Sequence, residues 1–208
     1  MGISPRSLDC LIKIIIKCGD FVKNLLFLIQ YILKPRTTGA VLPSSKYLAR
    51  KMVAGIDFSA ARCIVEYGPG TGVFTEEILS ARSADTLVIL IERNADFCKT
   101  LEKRFGGYAN LKIINYSAER IGAYLQENGI EHADYIVSGL PFASLPKVAS
   151  QNILAQTKKH LSPSGKFITF QYTLLTKKFF LGYFGDIEIK YEIRNIPPAF
   201  VLALTDLS

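Results

Sequence analysis

The chain has 208 residues, of which 49% are hydrophobic, and a formal net charge of +7. That length supports one well-buried core and leaves little room for a second domain. The four cysteines, Cys10, Cys18, Cys63 and Cys98, lack Cys-x-x-Cys spacing, and the only histidines are His132 and His160. This set argues against a zinc or iron site and for reduced thiols in a cytosolic protein.

The charge is concentrated at one end. Residues 1–60 hold nine Lys and Arg against three acids, whereas residues 61–208 hold sixteen against fifteen. A polyanionic partner, membrane or nucleic acid, would therefore be met by the amino-terminal part. Residues 8–34 read as an amphipathic helix stopped by Pro35. Asp9, Lys13, Lys17, Asp20, Lys23, Asn24, Gln30 and Lys34 fall within an arc of about 140°, and Leu, Ile, Phe and Val cover most of the rest. Its longest uncharged stretch, Asn24 to Leu33, is short of the roughly twenty apolar residues that a bilayer span needs. The wide apolar face suits packing on the domain and contact with a membrane surface equally well. Interrupting charges and the lack of a small-residue cleavage site before Pro35 argue against a secretory signal.

Ser44 or Ser45 is suited to cap a helix carrying Leu48, Met52 and Val53. The apolar run Cys63-Ile64-Val65 then leads into Glu66-Tyr67-Gly68-Pro69-Gly70-Thr71-Gly72. Glycines at alternate positions between a strand and a helix allow a tight turn and the approach of a nucleotide-type cofactor. The leading Glu66 suits an amino group rather than a pyrophosphate, because a carboxylate repels phosphate and pairs with an ammonium. A second strand, Thr86 to Ile91, ends in Glu92, at the spacing where Rossmann-like sites hold ribose hydroxyls.

Helices and strands alternate from there. Helices are expected over Thr71–Ala81, Ala95–Phe105, Arg120–Glu127 and Lys147–His160; strands are expected at Leu111–Asn115, Ala133–Val137 and, after a Pro163-Ser164-Gly165 turn, Lys166–Phe170. This order implies a parallel sheet with right-handed crossovers. Ile187–Ile193 and Phe200–Leu204, separated by Pro197-Pro198, read as a closing antiparallel hairpin. The aromatic run Phe179 to Phe184 is expected to be buried beside the sheet.

The acid followed by Gly-x-Gly-x-Gly resembles the first motif of S-adenosylmethionine-dependent methyltransferases, and Gly139-Leu140-Pro141-Phe142 stands where amino-directed members carry an acceptor motif. The chain resembles the ribosomal RNA adenine dimethylases, but has Gly139 in place of their Asn and ends without their carboxy-terminal helical module, which makes nucleic acid an unlikely partner. It looks more like the bacterial phospholipid N-methyltransferases. That resemblance runs through Lys34-Pro35-Arg36, Gly39-Ala40-Val41, Pro43-Ser44-Ser45, Phe170-Gln171-Tyr172 and Asn195-Ile196-Pro197-Pro198-Ala199.

The resemblance implies an α/β, Rossmann-like class I methyltransferase fold with a seven-stranded, mostly parallel sheet and a terminal antiparallel hairpin. An amphipathic membrane-association segment, 1–36, would precede a methyltransferase domain, 37–208. The implied reaction methylates the amine of phosphatidylethanolamine at the inner face of the cytoplasmic membrane, towards phosphatidylcholine. Glu66, Gly68, Gly70, Gly72, Glu92, Ser117 and Ala118 are the implied cofactor contacts, with Glu119 an alternative to Ser117 that reads better as a solvated first-turn acid. Leu140, Pro141 and Phe142 would orient the amine, Tyr172 and Tyr47 would offer polar contacts, and Arg36, Lys46 and Arg50 would face lipid phosphate. No metal or general base is implied. An RNA or small-amine N-methyltransferase and an inactive cofactor-binding protein are the alternative readings.

Overall fold

A computed structural model describes residues 44–206 of the chain. The expected helix over 8–34, the basic residue Arg36 and the whole of the segment 1–36 with its boundary lie outside the described residues. The strands are β1 (Cys63–Tyr67), β2 (Leu87–Ile91), β3 (Leu111–Ile114), β4 (Ala133–Ser138), β5 (Leu161–Gln171), β6 (Asp186–Glu192) and β7 (Ala199–Thr205). They form one sheet in the order β3-β2-β1-β4-β5-β7-β6. The first five strands are parallel, and β7 is antiparallel to both β5 and β6.

The helices follow from local sequence. Helix α1 (Lys46–Val53) starts at Ser45, whose side chain accepts the Leu48 N–H, and buries Leu48, Ala49, Met52 and Val53. Helices α2 (Val73–Ala81) and α3 (Ala95–Phe105) join it on one face of the sheet, around Ile64, Val88, Leu90 and Ile168. Helices α4 (Ile121–Glu127), α5 (Lys147–His160) and α6 (Lys177–Leu181) cover the other face, around Val65, Ile89, Ile136 and Phe167. Central strand β1 is buried at all five positions, as expected of a parallel strand covered on both sides. Asp134 fastens its start by accepting the Arg62 and Cys63 N–H groups at 2.8 and 3.0 Å.

The Pro163-Ser164-Gly165 segment does not precede β5 as a separate turn. It lies inside the strand as an irregularity, because Ala133 pairs with Leu161 whereas Tyr135 pairs with Lys166. The extra residues are bulged out while pairing continues on either side. Helix α6 was not expected: its five residues are too few to display a helical period within an aromatic run. That run is buried at Phe180 and Phe184, as expected, while Leu181 is exposed. Phe167 stacks on Phe184 at 5.6 Å and meets Phe142 edge-on at 6.1 Å. Phe167→Ala is expected to remove about 3–5 kcal/mol of stability, read as a lower urea midpoint with an unchanged slope.

Candidate active site

The chain passes from β1 outward through β2 and β3 and returns to β4 on the other side of β1. The covering helices change face at the same place, so the carboxyl ends of β1 and β4 bound a topological switch point, where open α/β sheets bind ligands. Glu66 to Gly72, Glu92, Ser117-Ala118, Gly139 to Phe142 and Gln171-Tyr172 all lie at this edge. Because β6 and β7 run antiparallel, the loop 193–198 between them belongs to it as well. The Ser45 N–H donates to Asn195 Oδ1 at 3.0 Å and brings the start of α1 there too.

Gly68, Gly70 and Gly72 all have positive φ, but they are glycines for different reasons. A Cβ on Gly72 would meet the Phe105 ring at 2.5 Å, so this position lets α2 and α3 pack closely. A Cβ on Gly68 would meet Leu140 Cδ2 at 2.8 Å, so this position makes room for the loop after β4. Only Gly70 faces open space, with nothing within 4 Å. Close packing thus accounts for glycine at 68 and 72, and Gly70 is the one of the three whose glycine it leaves unexplained. Arg104 steadies the turn by donating to the Thr71 carbonyl and to Glu76 Oε2, the latter at 3.0 Å.

Two acids underlie the turn. Glu66 is fully buried, and its Oε2 accepts the Thr75 hydroxyl at 2.7 Å while Oε1 has no partner. Burial pushes its carboxyl up to about 8; the Thr75 hydrogen bond opposes this shift and the nearby Glu92 charge adds to it. Glu92 accepts the Gly70 N–H at 3.1 Å through Oε2 and the Asn94 N–H at 2.8 Å through Oε1. The expected ribose acid thus also ties β2 to the glycine turn. Asn115 donates to the Glu92 carbonyl at 2.9 Å, which brings in the end of β3.

Beyond β3, Ser117 caps a short 3-10 turn, Ala118–Arg120, and Ala118 is buried. Glu119 is the expected first-turn acid, partly exposed, and it also has protein partners. Its carboxylate accepts from Ser117 at 3.2 Å and from Asn152 at 3.0 Å, linking this turn to α5.

At the acceptor loop, the Gly139 N–H donates to the Tyr67 carbonyl at 2.8 Å, and a Cβ at 139 would lie 2.7 Å from the Gly68 carbonyl oxygen. No larger residue fits this backbone. The Pro141 carbonyl accepts from Ser144 and Leu145, whereas the Leu140 carbonyl accepts from Phe142 N–H alone among the described residues. A carbonyl has two lone pairs, so Leu140 retains accepting capacity. Phe142 does not stand open to an acceptor as expected: it is 4% exposed and packs edge-on against Phe180 at 5.3 Å.

The two tyrosines part company. Tyr172 is half-buried, edge-on to Phe170, and hydrogen-bonded to Asn195. Tyr47 is exposed, with the Arg194 guanidinium 4.2 Å from its ring centre. Arg194 also forks onto the buried Glu192, which Lys51 approaches at 3.1 Å; these cations hold its carboxyl down to about 2. Lys46 and Arg50 are exposed, and Arg50 pairs with Glu77 at 3.5 Å. Sequence reasoning assigned no role to Gln171, which is 4% exposed with an unpartnered Nε2. Its signal was available: a polar residue ending an otherwise apolar strand at the ligand edge.

The family model described as ribosomal RNA adenine dimethylase matches residues 42–180. The chain belongs to that family of class I methyltransferases. It is similar to an ornithine lipid N-methyltransferase of Singulisphaera acidiphila, 36% identical over 84% of this chain and 91% of the relative. It is also similar to ribosomal RNA small subunit methyltransferase A of a Sulfurihydrogenibium species, 40% identical over 34% of this chain and 26% of that protein. Among solved structures, N-methyltransferase NodS of Bradyrhizobium japonicum, in complex with S-adenosyl-L-homocysteine, shares the fold. Its TM-score is 0.62 at 11% identity, over 77% of this chain and 84% of that one.

This is therefore an S-adenosylmethionine-dependent methyltransferase. The residues present fit that cofactor: a buried carboxyl oxygen lacks a partner beside a turn whose central glycine is open. The cofactor-free state has a measurable signature. Folded Glu66 keeps a proton up to about pH 8, whereas an unfolded Glu releases it near 4.3. Stability contributed by Glu66 is thus fully present below the unfolded value and declines as pH rises towards 8. Thermal melts of cofactor-free Glu66→Gln are expected to gain on the native chain steadily between pH 5 and 8; a constant offset would contradict this.

Proposed function

We propose that the enzyme methylates the amine of a membrane aminolipid. The observation that carries this reading is the nearly end-to-end match to a lipid N-methyltransferase, against partial coverage of the ribosomal RNA relatives. Gly139 supports it. The position that would supply an amide to an adenine amino group has no room for any side chain on this backbone. The phospholipid-enzyme motifs favour phosphatidylethanolamine as acceptor and the similar protein suggests ornithine lipid; a primary amine on a lipid head group is common to both.

When bound, S-adenosylmethionine supplies an electrophilic methyl on a sulfonium. Glu66 would receive the amino group of its methionine part, Gly70 would allow backbone approach, and Glu92 would accept ribose hydroxyls through lone pairs left beside its two N–H donors. Ser117 and Ala118 would border the adenine. The spare lone pair of the Leu140 carbonyl would accept an acceptor N–H, leaving the nitrogen lone pair free for in-line attack. Pro141 fixes the loop and buried Phe142 backs it. Catalysis on this scheme is positioning and water exclusion, with the ammonium proton passing to water or lipid phosphate before transfer. Residues 1–36 would act as an amphipathic association segment on the cytoplasmic membrane face, with 37–208 as the methyltransferase domain. Among the described residues, no helix is long and apolar enough to cross a membrane.

Vesicles containing phosphatidylethanolamine or ornithine lipid, given methyl-labelled cofactor, are expected to yield label in extracted lipid. Label in RNA with none in either lipid would reject the reading. A second measurement addresses Glu66. Binding of S-adenosylhomocysteine at pH 7 is expected to release close to one proton, because an ammonium beside the carboxyl favours its charged form. Calorimetry in buffers of different ionisation enthalpy reads this directly. Glu66→Gln should abolish the release and weaken binding; unchanged release would assign the proton elsewhere.

A further inference from the structure

Exposed apolar side chains gather on the ligand edge of the sheet. Six aliphatic residues are exposed among the described residues, and five of them, Leu174, Leu175, Leu181, Ile193 and Ile196, lie on two segments that meet there. Leu175 is 90% exposed, Ile196 84% and Ile193 70%. Single exposed apolar residues are ordinary, but a cluster at one place marks a contact surface.

The two segments are neighbours by topology. Gln171, the last residue of β5, pairs with Phe200 of β7, so the chain leaving β5 and the chain entering β7 emerge side by side. The Tyr172–Asn195 hydrogen bond joins them beyond the last paired residues. Asn195 also holds Ser45 and donates to the Pro197 carbonyl at 2.6 Å. Apolar tips therefore stand on a braced base, and the start of α1 borders them.

Charge decides what fits this rim. Residues 44–56, 172–185 and 193–205 carry six Lys and Arg and no Asp or Glu. Two acids reach these cations: Glu192 is buried between Lys51 and Arg194, and Glu77 pairs with Arg50. Isolated aliphatic tips ringed by cations suit an interface of acyl chains beneath anionic head groups, where each nearby Lys or Arg adds attraction.

We propose that Leu174, Leu175, Ile193 and Ile196 form a docking rim that the methyltransferase domain itself inserts into an anionic lipid surface, with Lys46, Lys177, Lys178 and Arg194 meeting the head groups. This rests on the aminolipid reading and adds how the acceptor reaches the site: the rim adjoins the acceptor loop, since Phe142 packs on Phe180 of α6. A head group would move laterally from the bilayer to Leu140 without leaving the interface.

The chain contains no tryptophan, so Leu175→Trp and Ile196→Trp in the full chain each provide a single reporter. Vesicles containing one third phosphatidylglycerol should shift their emission to the blue. Tyr108→Trp, exposed near the opposite edge before β3, should not shift. Leu175→Asp/Ile196→Asp should leave the melting temperature and S-adenosylhomocysteine affinity unchanged. Its methylation of aminolipid within those vesicles should fall at least tenfold, and its sedimentation with them should fall by a smaller factor, because residues 1–36 are retained. Unshifted emission at 175 and 196, or native sedimentation of the double variant, would overturn the rim. A lowered melting temperature or an altered oligomeric state, with vesicle binding intact, would overturn it too, by giving the patch to residues 1–43 or to a second copy. Sedimentation needs no methyl transfer: vesicle-bound but inactive protein refutes the aminolipid reading and leaves the rim standing, whereas lipid methylation unaffected by the double variant does the reverse.

Discussion

The constraint on which the site depends is the contact between two glycines that follow adjacent strands. Gly68 follows β1, Gly139 follows β4, and a Cβ on the latter would fall 2.7 Å from the former's carbonyl oxygen. The Tyr67 carbonyl accepts the Gly139 N–H, and the Ile91 carbonyl accepts the Gly68 N–H. Cofactor turn and acceptor loop are thereby fixed to one another through backbone rather than through adjustable side chains. Methyl transfer depends on approach of reacting atoms to about 3–3.5 Å, so a rigid spacing between the two half-sites is a catalytic property of the fold. It also removes the side chain at the acceptor position that would distinguish one amine from another.

Electrostatics reinforce that frame. Glu92 spends an acceptor on the Gly70 N–H and another on the Asn94 N–H, so the turn holds its shape from within the protein. Glu66 carries the opposite design: one oxygen is satisfied by Thr75 and the other has no donor. A buried polar atom without a partner is destabilising by about 1–3 kcal/mol, and a ligand that pairs with this carboxyl would recover that energy on binding. One acid preorganises the turn and the other rewards occupancy.

The cofactor half was largely legible in the sequence because its parts are close in the chain and obey strand and helix periods. Helices α3 and α5 begin and end where the pattern places them, and the parallel pairing of β1 to β5 follows from alternation. What escaped was set by distant neighbours. Gly72 is explained by Phe105 and Gly68 by Leu140, neither of which local spacing reveals. Phe142 reads as an acceptor-facing ring until Phe167 and Phe180 enclose it. Pro163 to Gly165 reads as a turn, yet continued pairing on both sides turns it into a bulge.

This division bears on how the fold changes acceptors. The cofactor turn lies within twenty-seven residues, Glu66 to Glu92, and of its glycines only Gly68 and Gly72 answer to side chains beyond that stretch, Leu140 and Phe105. The acceptor side is assembled from the loop after β4, the end of β5, the β6–β7 loop and the start of α1, joined by Asn195. Loops that emerge from adjacent strands can exchange residues without disturbing the ladder beneath them, since Gln171–Phe200 pairing ends below them. A family whose model is named for adenine dimethylation can thus keep its donor geometry while its acceptor edge acquires aliphatic tips and cations. The rigid glycine contact is what makes this separable: it holds the loop after β4 at a constant distance from the glycine turn, whatever side chains the surrounding edge carries.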